Sequence, residues 1–298
     1  MKVVKKIVKV LFSIVLILVA VFIVDYVRIN VRYFMHSDSY SKAFSVYGNT
    51  NDDVPQGLAY SEKYNVTIQT SYSNDVSKIF IVDFKTGKLL KSLKLINRDG
   101  TNNTKHVGGI SIYESTVWIS NDYEVDIYNL DDIINKNGDS IQCIDEIKLP
   151  IRGDFCYFYD NILWIGDFYL KPFYDVENGD PKLNGYIYKE NIDFNNPDYV
   201  VSLPKAVQGM SILPNGDVAF TESFTYLVNS NLQVYKNVLK QKNAKFDKSN
   251  RLYTKKLPPM AEGMFYKDGY LYILFESSAN KYSLADPKIN KIIKYKID

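Results

Sequence analysis

The chain has 298 residues, 36 of them basic and 34 acidic, for a net charge of +2. Near-neutrality, with no basic block or stripe, excludes a nucleic-acid partner held through its phosphates. Two cysteines and no CxxC exclude sulfur-based metal chemistry, while 25 Tyr and 16 Phe suit half-buried pleated surfaces.

The N-terminus is apolar from Val10 to Val24 except for Ser13, and Ile7-Val8 extends the run if Lys9 snorkels. That length is close to the ~20 residues that cross a bilayer. Residues 7–27 are therefore expected as a transmembrane anchor, 1–6 as a cytoplasmic tail and 28–42 as a linker. Lys2, Lys5, Lys6 and Lys9 precede the run, so the positive-inside rule keeps this end in the cytoplasm and places the rest outside. Arg28 and Arg32 weaken that contrast without cancelling it. A cleaved signal peptide competes, because 10–24 just fits an apolar core of ~7–15 residues. Against it, Ala20 is followed by Val21, Phe22, Ile23 and Val24, so no small-x-small site exists, and no Cys follows for lipoprotein processing. Asp25–Phe34 is expected to continue the helix, and the polar stretch His36–Ser41 to be extended or mobile.

Beyond the linker, five segments repeat. They begin at Gln56-Gly57-Leu58, Gly108-Gly109-Ile110, Gly153-Asp154-Phe155, Gln208-Gly209-Met210 and Glu262-Gly263-Met264. The middle residues of these triplets lie 52, 45, 55 and 54 positions apart. A period of that size built only of strands predicts an all-β, five-bladed β-propeller over residues 43–298, one four-stranded sheet per repeat. Six blades is the alternative.

Blade one reads Gly57–Tyr60, Asn65–Ser71, Lys78–Phe84 and Leu89–Leu95. Blade two reads Gly109–Tyr113, Thr116–Asn121, Glu124–Leu130 and Gln142–Leu149. Blade three reads Asp154–Tyr159, Ile162–Asp167, Gly185–Glu190 and Tyr199–Leu203. Blade four reads Gly209–Leu213, Asp217–Glu222, then Tyr226–Asn229 or Leu232–Tyr235, and Arg251–Leu257. Blade five reads Gly263–Tyr266, Tyr270–Glu276, Asn280–Leu284 and Lys291–Ile297. Asn215-Gly216 and Asp268-Gly269 are hairpin turns that require positive φ. Leu149-Pro150, Leu203-Pro204 and Leu257-Pro258 stop outer strands before the chain crosses to the next blade. Ala43–Gly48 reads as an outer strand that closes the ring beside blade five, with Lys291–Ile297 competing for that place.

The connections at 170–184 and 237–250 are long, and long loops are functional or floppy. Aromatic Leu170–Tyr174 is expected over a cleft, and Lys240–Asn250 in solvent. Cys143 falls in an outer strand and Cys156 in the next inner strand, too far apart for a disulfide, so two buried thiols are expected. Trp118 and Trp164 occupy matching places and are expected to pack between blades.

In propellers the inner strands start, and the second strands end, at the face that usually binds ligands. On that basis Gln56, His106, Asp154, Gln208 and Glu262 gather at one mouth with Ser71, Asn121, Asp122, Asp167, Glu222 and Glu276. That makes an acidic mouth whose mutual repulsion raises some pKa values unless a cation neutralises it. Ca²⁺, with ~6–8 oxygen ligands, is the metal such residues would hold. The competing reading is that acids at strand ends are ordinary turn residues. His36 and His106 are the only histidines, too few for an obvious Ser–His–Asp triad, and Thr86-Gly87-Lys88 is a hairpin turn rather than a phosphate loop.

Pro55–Tyr60 followed by Ile79–Lys88, with its Asp-x-x-Thr-Gly-Lys turn, resembles a blade of secreted bacterial propellers. It looks most like glutamine cyclotransferase-type propellers, and more loosely like lactonase-type and YncE-type ones. The resemblance implies that Glu262-Gly263 could stand where the cyclotransferase pattern has a Glu-Gly, making Glu262 an acid/base. The sequence thus points to a monomeric, membrane-anchored extracytoplasmic propeller that binds a small polar molecule, peptide or envelope ligand. A propeller enzyme using Glu262 and a scaffold for another envelope protein are the alternatives.

Overall fold

The structure is a computed structural model that describes residues 2–35, 40–50, 52–285 and 287–297. It opens with one helix, α1 (Lys2–Met35), within which Val4–Val27 is long and apolar enough to cross a membrane, a property that anchors and signal sequences share. The helix continues through Phe34 as expected. Residues 36–39 of the expected polar link lie outside the described residues, and the first strand, β1 (Tyr40–Ser45), starts inside the segment read as linker.

Five sheets follow. Blade one holds β2 (Val54–Ser61), β3 (Val66–Tyr72), β4 (Lys78–Asp83) and β5 (Leu89–Ile96). Blade two holds β6 (Gly109–Tyr113), β7 (Thr116–Asn121) and β8 (Glu124–Asn129). A short helix, α2 (Leu130–Asn135), and β9 (Ser140–Gln142) intervene before its outer strand, β10 (Asp145–Lys148). Blade three holds β11 (Phe155–Tyr159), β12 (Ile162–Gly166), β13 (Lys182–Ile187) and β14 (Tyr199–Ser202). Blade four holds β15 (Val207–Ile212), β16 (Val218–Glu222), β17 (Ser230–Tyr235) and β18 (Arg251–Leu257). Blade five holds β19 (Ala261–Lys267), β20 (Tyr270–Phe275) and β21 (Lys291–Lys296), completed by β1 on its outer edge. Each innermost strand packs on the innermost strands of both neighbouring blades, in the closed order β2, β6, β11, β15, β19. The ring therefore has five blades, and the six-bladed alternative falls.

Blade faces pack on one another, so second strands such as β12 and β20 are buried at almost every position. Outer strands such as β5 alternate between buried and less buried residues, because one face meets water. Small residues let the inner strands approach. A Cβ on Gly109 would lie 2.4 Å from the backbone N of Cys156, and one on Gly263 would lie 2.6 Å from the N of Leu58. A second-strand hydroxyl ties neighbouring blades at the same level. Thr70 donates to the Val107 carbonyl at 2.8 Å, and Thr221 donates to the Glu262 carbonyl at 2.8 Å.

Several strand assignments shift. Asn280–Leu284 is not the third strand of blade five: residues 280–282 form a 3-10 turn. The third place goes to β21, so β1 and Lys291–Ile297 do not compete but lie side by side. Gln142–Leu149 is not one strand. Its start belongs to β9, which runs parallel to β5 and seals blade one with Ile141, and only β10 pairs with β8. Blade three's third strand begins at Lys182 rather than Gly185, because Leu183 pairs with Gly166. In blade four Leu232–Tyr235 prevails over Tyr226–Asn229. Lys240–Asn250 is not wholly solvated: Ala244 and Phe246 anchor it in the core between blades three and four. Both cysteines are free and buried, in separate core clusters. Trp118 stacks on Phe158 of the next blade with ring centroids 5.4 Å apart, and Trp164, which covers Gly185 of its own sheet, shares a core cluster with Met210 and Phe220 of blade four.

Candidate functional site

Chain reversal at the mouth uses left-handed backbone. Val107, Ala206 and Met260 have φ of 43°, 60° and 66°, and Gly153 has 67°, each immediately before an inner strand. β-branched residues rarely take that conformation, so the Val107 backbone is held there by its surroundings. These turns flank His106, Asp154 and Gln208, which line a central pocket of about 340 Å³ together with Gln56 of β2 and Glu276 from the end of blade five's second strand.

The side chains are tied together. Gln56 Nε2 donates to Glu276 Oε1 at 3.0 Å, and the Tyr282 hydroxyl donates to the same oxygen at 2.7 Å. The Phe168 backbone N–H donates to Asp154 at 2.6 Å. Arg152 Nε lies 3.0 Å from the other Asp154 oxygen, an ion pair whose angle falls short of a hydrogen bond. Its guanidinium also pairs with Asp122 at 3.0 Å and covers the Tyr174 ring. Lys281 donates to the Tyr72 hydroxyl at 2.8 Å, and the Tyr72 and His106 rings stand 4.7 Å apart. Glu262 does not line the pocket. It lies beneath, 2% exposed, and accepts a hydrogen bond from Gln208 at 3.2 Å.

Burial dominates the electrostatics. It pushes Glu276 up to about 7 against the hydrogen bonds from Tyr282 and Gln56. It also pushes Asp154 up to about 7 against the pull of Arg152. Glu262 is raised well above its usual range, first by burial and then by Glu276 and Asp154. Burial brings His106 down to about 4 despite Asp122, so its imidazole is neutral. Burial works against the charge of Lys281, yet the Tyr72 hydrogen bond and nearby Glu276 hold its pKa above the ordinary lysine value. The mouth thus carries Arg152 and Lys281 beside the acids read from the sequence.

Five of the expected residues lie elsewhere, because strand-end side chains alternate between the channel and the faces between blades. Asn121 donates to buried Asp126 at 3.2 Å. Asp167 accepts the backbone N–H groups of Arg152 and Lys182 at 2.7 and 3.2 Å. Glu222 takes the side-chain amides of Gln233 and Asn231 on its own sheet. Asp122 is exposed and reaches the site only through Arg152. Ser71 is buried and donates to the Gly48 carbonyl at 2.8 Å. Of the expected acids, Asp154, Glu262 and Glu276 are the three that meet at the channel.

Sequence reasoning missed Arg152, Lys281, Tyr72 and Tyr282, whereas Tyr174 belongs to the aromatic segment expected over a cleft and lines the pocket. Arg152 stands two residues before Asp154 and gave a local signal. Lys281 and Tyr282 lay in a segment assigned as strand. Among the described residues, the carboxylate trio whose oxygens lie within 4.8 Å of one another is Glu124, Asp126 and Glu146, away from the channel. The Lys105 ammonium already sits among them at 2.7, 2.8 and 2.8 Å, supplying the positive charge a metal would bring. Among the described residues, the channel acids form no trio as close as this one.

Solved structures share this architecture. Glutaminyl cyclase from Myxococcus xanthus superposes with a TM-score of 0.53 at 7% identity, over 87% of this chain and 97% of that one. The PQQ-bound aldose sugar dehydrogenase from Streptomyces coelicolor superposes with a TM-score of 0.51 at 12% identity, over 87% and 97%. What is shared is the propeller fold. No protein-family model matches the chain, and no curated protein matches it in sequence.

Proposed function

We propose that this propeller is held at a membrane by α1, outside the cytoplasm, and binds a small zwitterionic molecule, such as an amino acid or peptide end, in its central pocket. One observation carries the proposal: cations and acids are fixed around a single aromatic-walled cavity. Arg152 and Lys281 supply positive charge, Asp154 and Glu276 supply carboxylates, and Tyr72, Tyr174 and Tyr282 form walls. The volume of about 340 Å³ lies at the small end of ligand pockets, which run ~300–1,000 Å³. An incoming ammonium would favour ionised Asp154 and Glu276, drawing their pKa values down as it binds.

A second proposal is catalytic. Glu262 keeps its proton near neutrality because it is buried beside two other acids, a requirement for a general acid. Reaching substrate would require Gln208 to move aside, since Gln208 lies between Glu262 and the cavity.

Thermal unfolding of the full chain in detergent, with amino acids, dipeptides, their N-acetyl and ester forms, sugars and Ca²⁺, tests both. Zwitterions are expected to raise Tm, forms lacking either charge are not, and Arg152→Met and Glu276→Gln are expected to abolish the rise. A shift by Ca²⁺ or neutral sugars alone, or a zwitterion shift that survives both substitutions, overturns the proposal. Product formation that disappears in Glu262→Gln while ligand binding persists would establish the catalytic reading.

A further inference from the structure

Three connections carry exposed apolar side chains around the mouth: 167–181 in blade three, 223–229 in blade four and 276–290 in blade five. Each joins the second strand of its blade to the third, so all three stand at the mouth end. Leu284 is 69% exposed and Phe173 66%, with Phe224, Leu227 and Val228 also exposed. The Phe173 and Phe224 rings stack at 5.5 Å, so loops of two blades form one apolar surface. Phe224 and Tyr226 also line the central pocket, which ties this surface to its opening.

The membrane-length helix lies on the same side. Tyr226, Leu227 and Leu284 share a cleft of about 690 Å³ with Ile17, Leu18, Val21 and Phe22 of α1. β1 instead begins at the far end of blade five, since Tyr40 pairs with Tyr295 near the end of β21. The apolar part of α1 therefore lies beside the mouth, although the strand that follows it begins at the opposite end of the ring. Any bilayer that holds Val4–Val27 then meets the mouth face.

We propose that Phe173, Phe224, Leu227, Val228 and Leu284 form a wedge seated in the lipid interface, so that the central pocket opens onto the bilayer surface. This rests on α1 being a membrane anchor. A bilayer fits separate apolar tips at one level better than a partner helix does, which needs a continuous groove. Exposed Lys205 and Lys281 on this side suit anionic headgroups, while Lys171 is paired with Asp175, and Tyr174 and Tyr226 suit the interfacial zone.

The test places an environment-sensitive fluorophore on single introduced cysteines in the full chain, reconstituted in phosphatidylcholine–phosphatidylglycerol vesicles. Native Cys143 and Cys156 are buried, so labelling falls on the introduced thiol. Leu227→Cys and Leu284→Cys report the rim on two separate loops, Asn215→Cys reports a turn at the opposite end, and Val15→Cys reports the anchor. Unchanged thermal unfolding confirms that each variant folds. The rim probes are expected to shift to the blue and to lose emission to nitroxides near the lipid headgroups, and the Asn215 probe to do neither. The Val15 probe is expected to be quenched by nitroxides deep in the acyl chains. Quenching at Val15 with rim probes as solvated as Asn215 overturns the wedge while leaving the anchor intact. Blue-shifted rim probes that lipid nitroxides cannot reach overturn it in favour of a protein cover. No lipid quenching at Val15 removes the anchor and the wedge together, without touching the zwitterion site, which is tested in detergent.

Discussion

Gln56, in the first blade, donates a hydrogen bond at 3.0 Å to Glu276, in the last, across 220 residues of sequence. The contact spans the junction where the ring closes, so one hydrogen bond serves both the closure and the pocket wall. Glu276 is also where Tyr282 anchors the turn that carries Lys281.

That carboxyl makes stability depend on pH. Its folded-state pKa is about 7 against an ordinary 4.5, because burial disfavours the charge. The folded form then binds the proton more tightly than the unfolded chain. Its contribution is complete below pH 4.5 and is lost as pH rises through about 7. Thermal unfolding of the full chain in detergent is expected to show Tm falling over that window. Glu276→Gln is expected to flatten part of the slope, with Asp154 and Glu222, also at about 7, supplying the rest. A slope identical in the variant would refute the assignment.

Arg152→Met is expected to destabilise more at pH 8 than at pH 5. Removing the guanidinium strands Asp154, whose side chain is 8% exposed, as an unpaired carboxylate. The cost of orphaning a buried ion is ~3–5 kcal/mol, and it shrinks once Asp154 takes up a proton. Denaturant unfolding at the two pH values measures the difference. A pH-independent loss would mean that the side chain matters through packing alone.

Gly109→Ala is expected to destabilise the ring by ~1–3 kcal/mol or more, because the new methyl meets backbone that cannot yield. The Cβ would fall 2.4 Å from the Cys156 nitrogen and 2.6 Å from the Phe155 Cα. Gly138→Ala is the matched control, with a nearest contact of 3.8 Å to a flexible lysine, and should be neutral or slightly stabilising. Denaturant midpoints of the two variants should separate clearly.

Thr221→Val removes the hydroxyl that meets the Glu262 carbonyl at 2.8 Å while keeping the side-chain shape. A buried carbonyl left without its partner costs ~1–3 kcal/mol. Hydrogen exchange should quicken at the inner strands of blades four and five relative to blade one, where Thr70 makes the equivalent bond to Val107. Uniform exchange across all blades would remove the hydroxyl's role as an inter-blade tie.

Lys105→Met should cost ~3–5 kcal/mol, since the ammonium is surrounded by Glu124, Asp126 and Glu146 and Asp126 is fully buried. Added Ca²⁺ should restore part of the loss in this variant and leave the parent unchanged, because the trio is then without a cation. Restoration of equal size in the parent would contradict the lysine's role.

The amino-acid sequence by itself determined the blade number, the inner-strand starts and the apolar N-terminal helix. Those follow from periodicity: a glycine-led strand recurs wherever neighbouring backbones must nearly touch, and a membrane-length apolar run stands apart from it. Only the tertiary structure decided which acids share a cavity. Asp154 and Glu276 face it, Glu262 lies beneath Gln208, and Asp167 and Glu222 turn into their own blades. A side chain's direction at a strand end depends on the turn that follows, and its charge on partners such as Arg152 and Lys281 brought from other loops. Those are relations in space between distant segments, which no local spacing encodes.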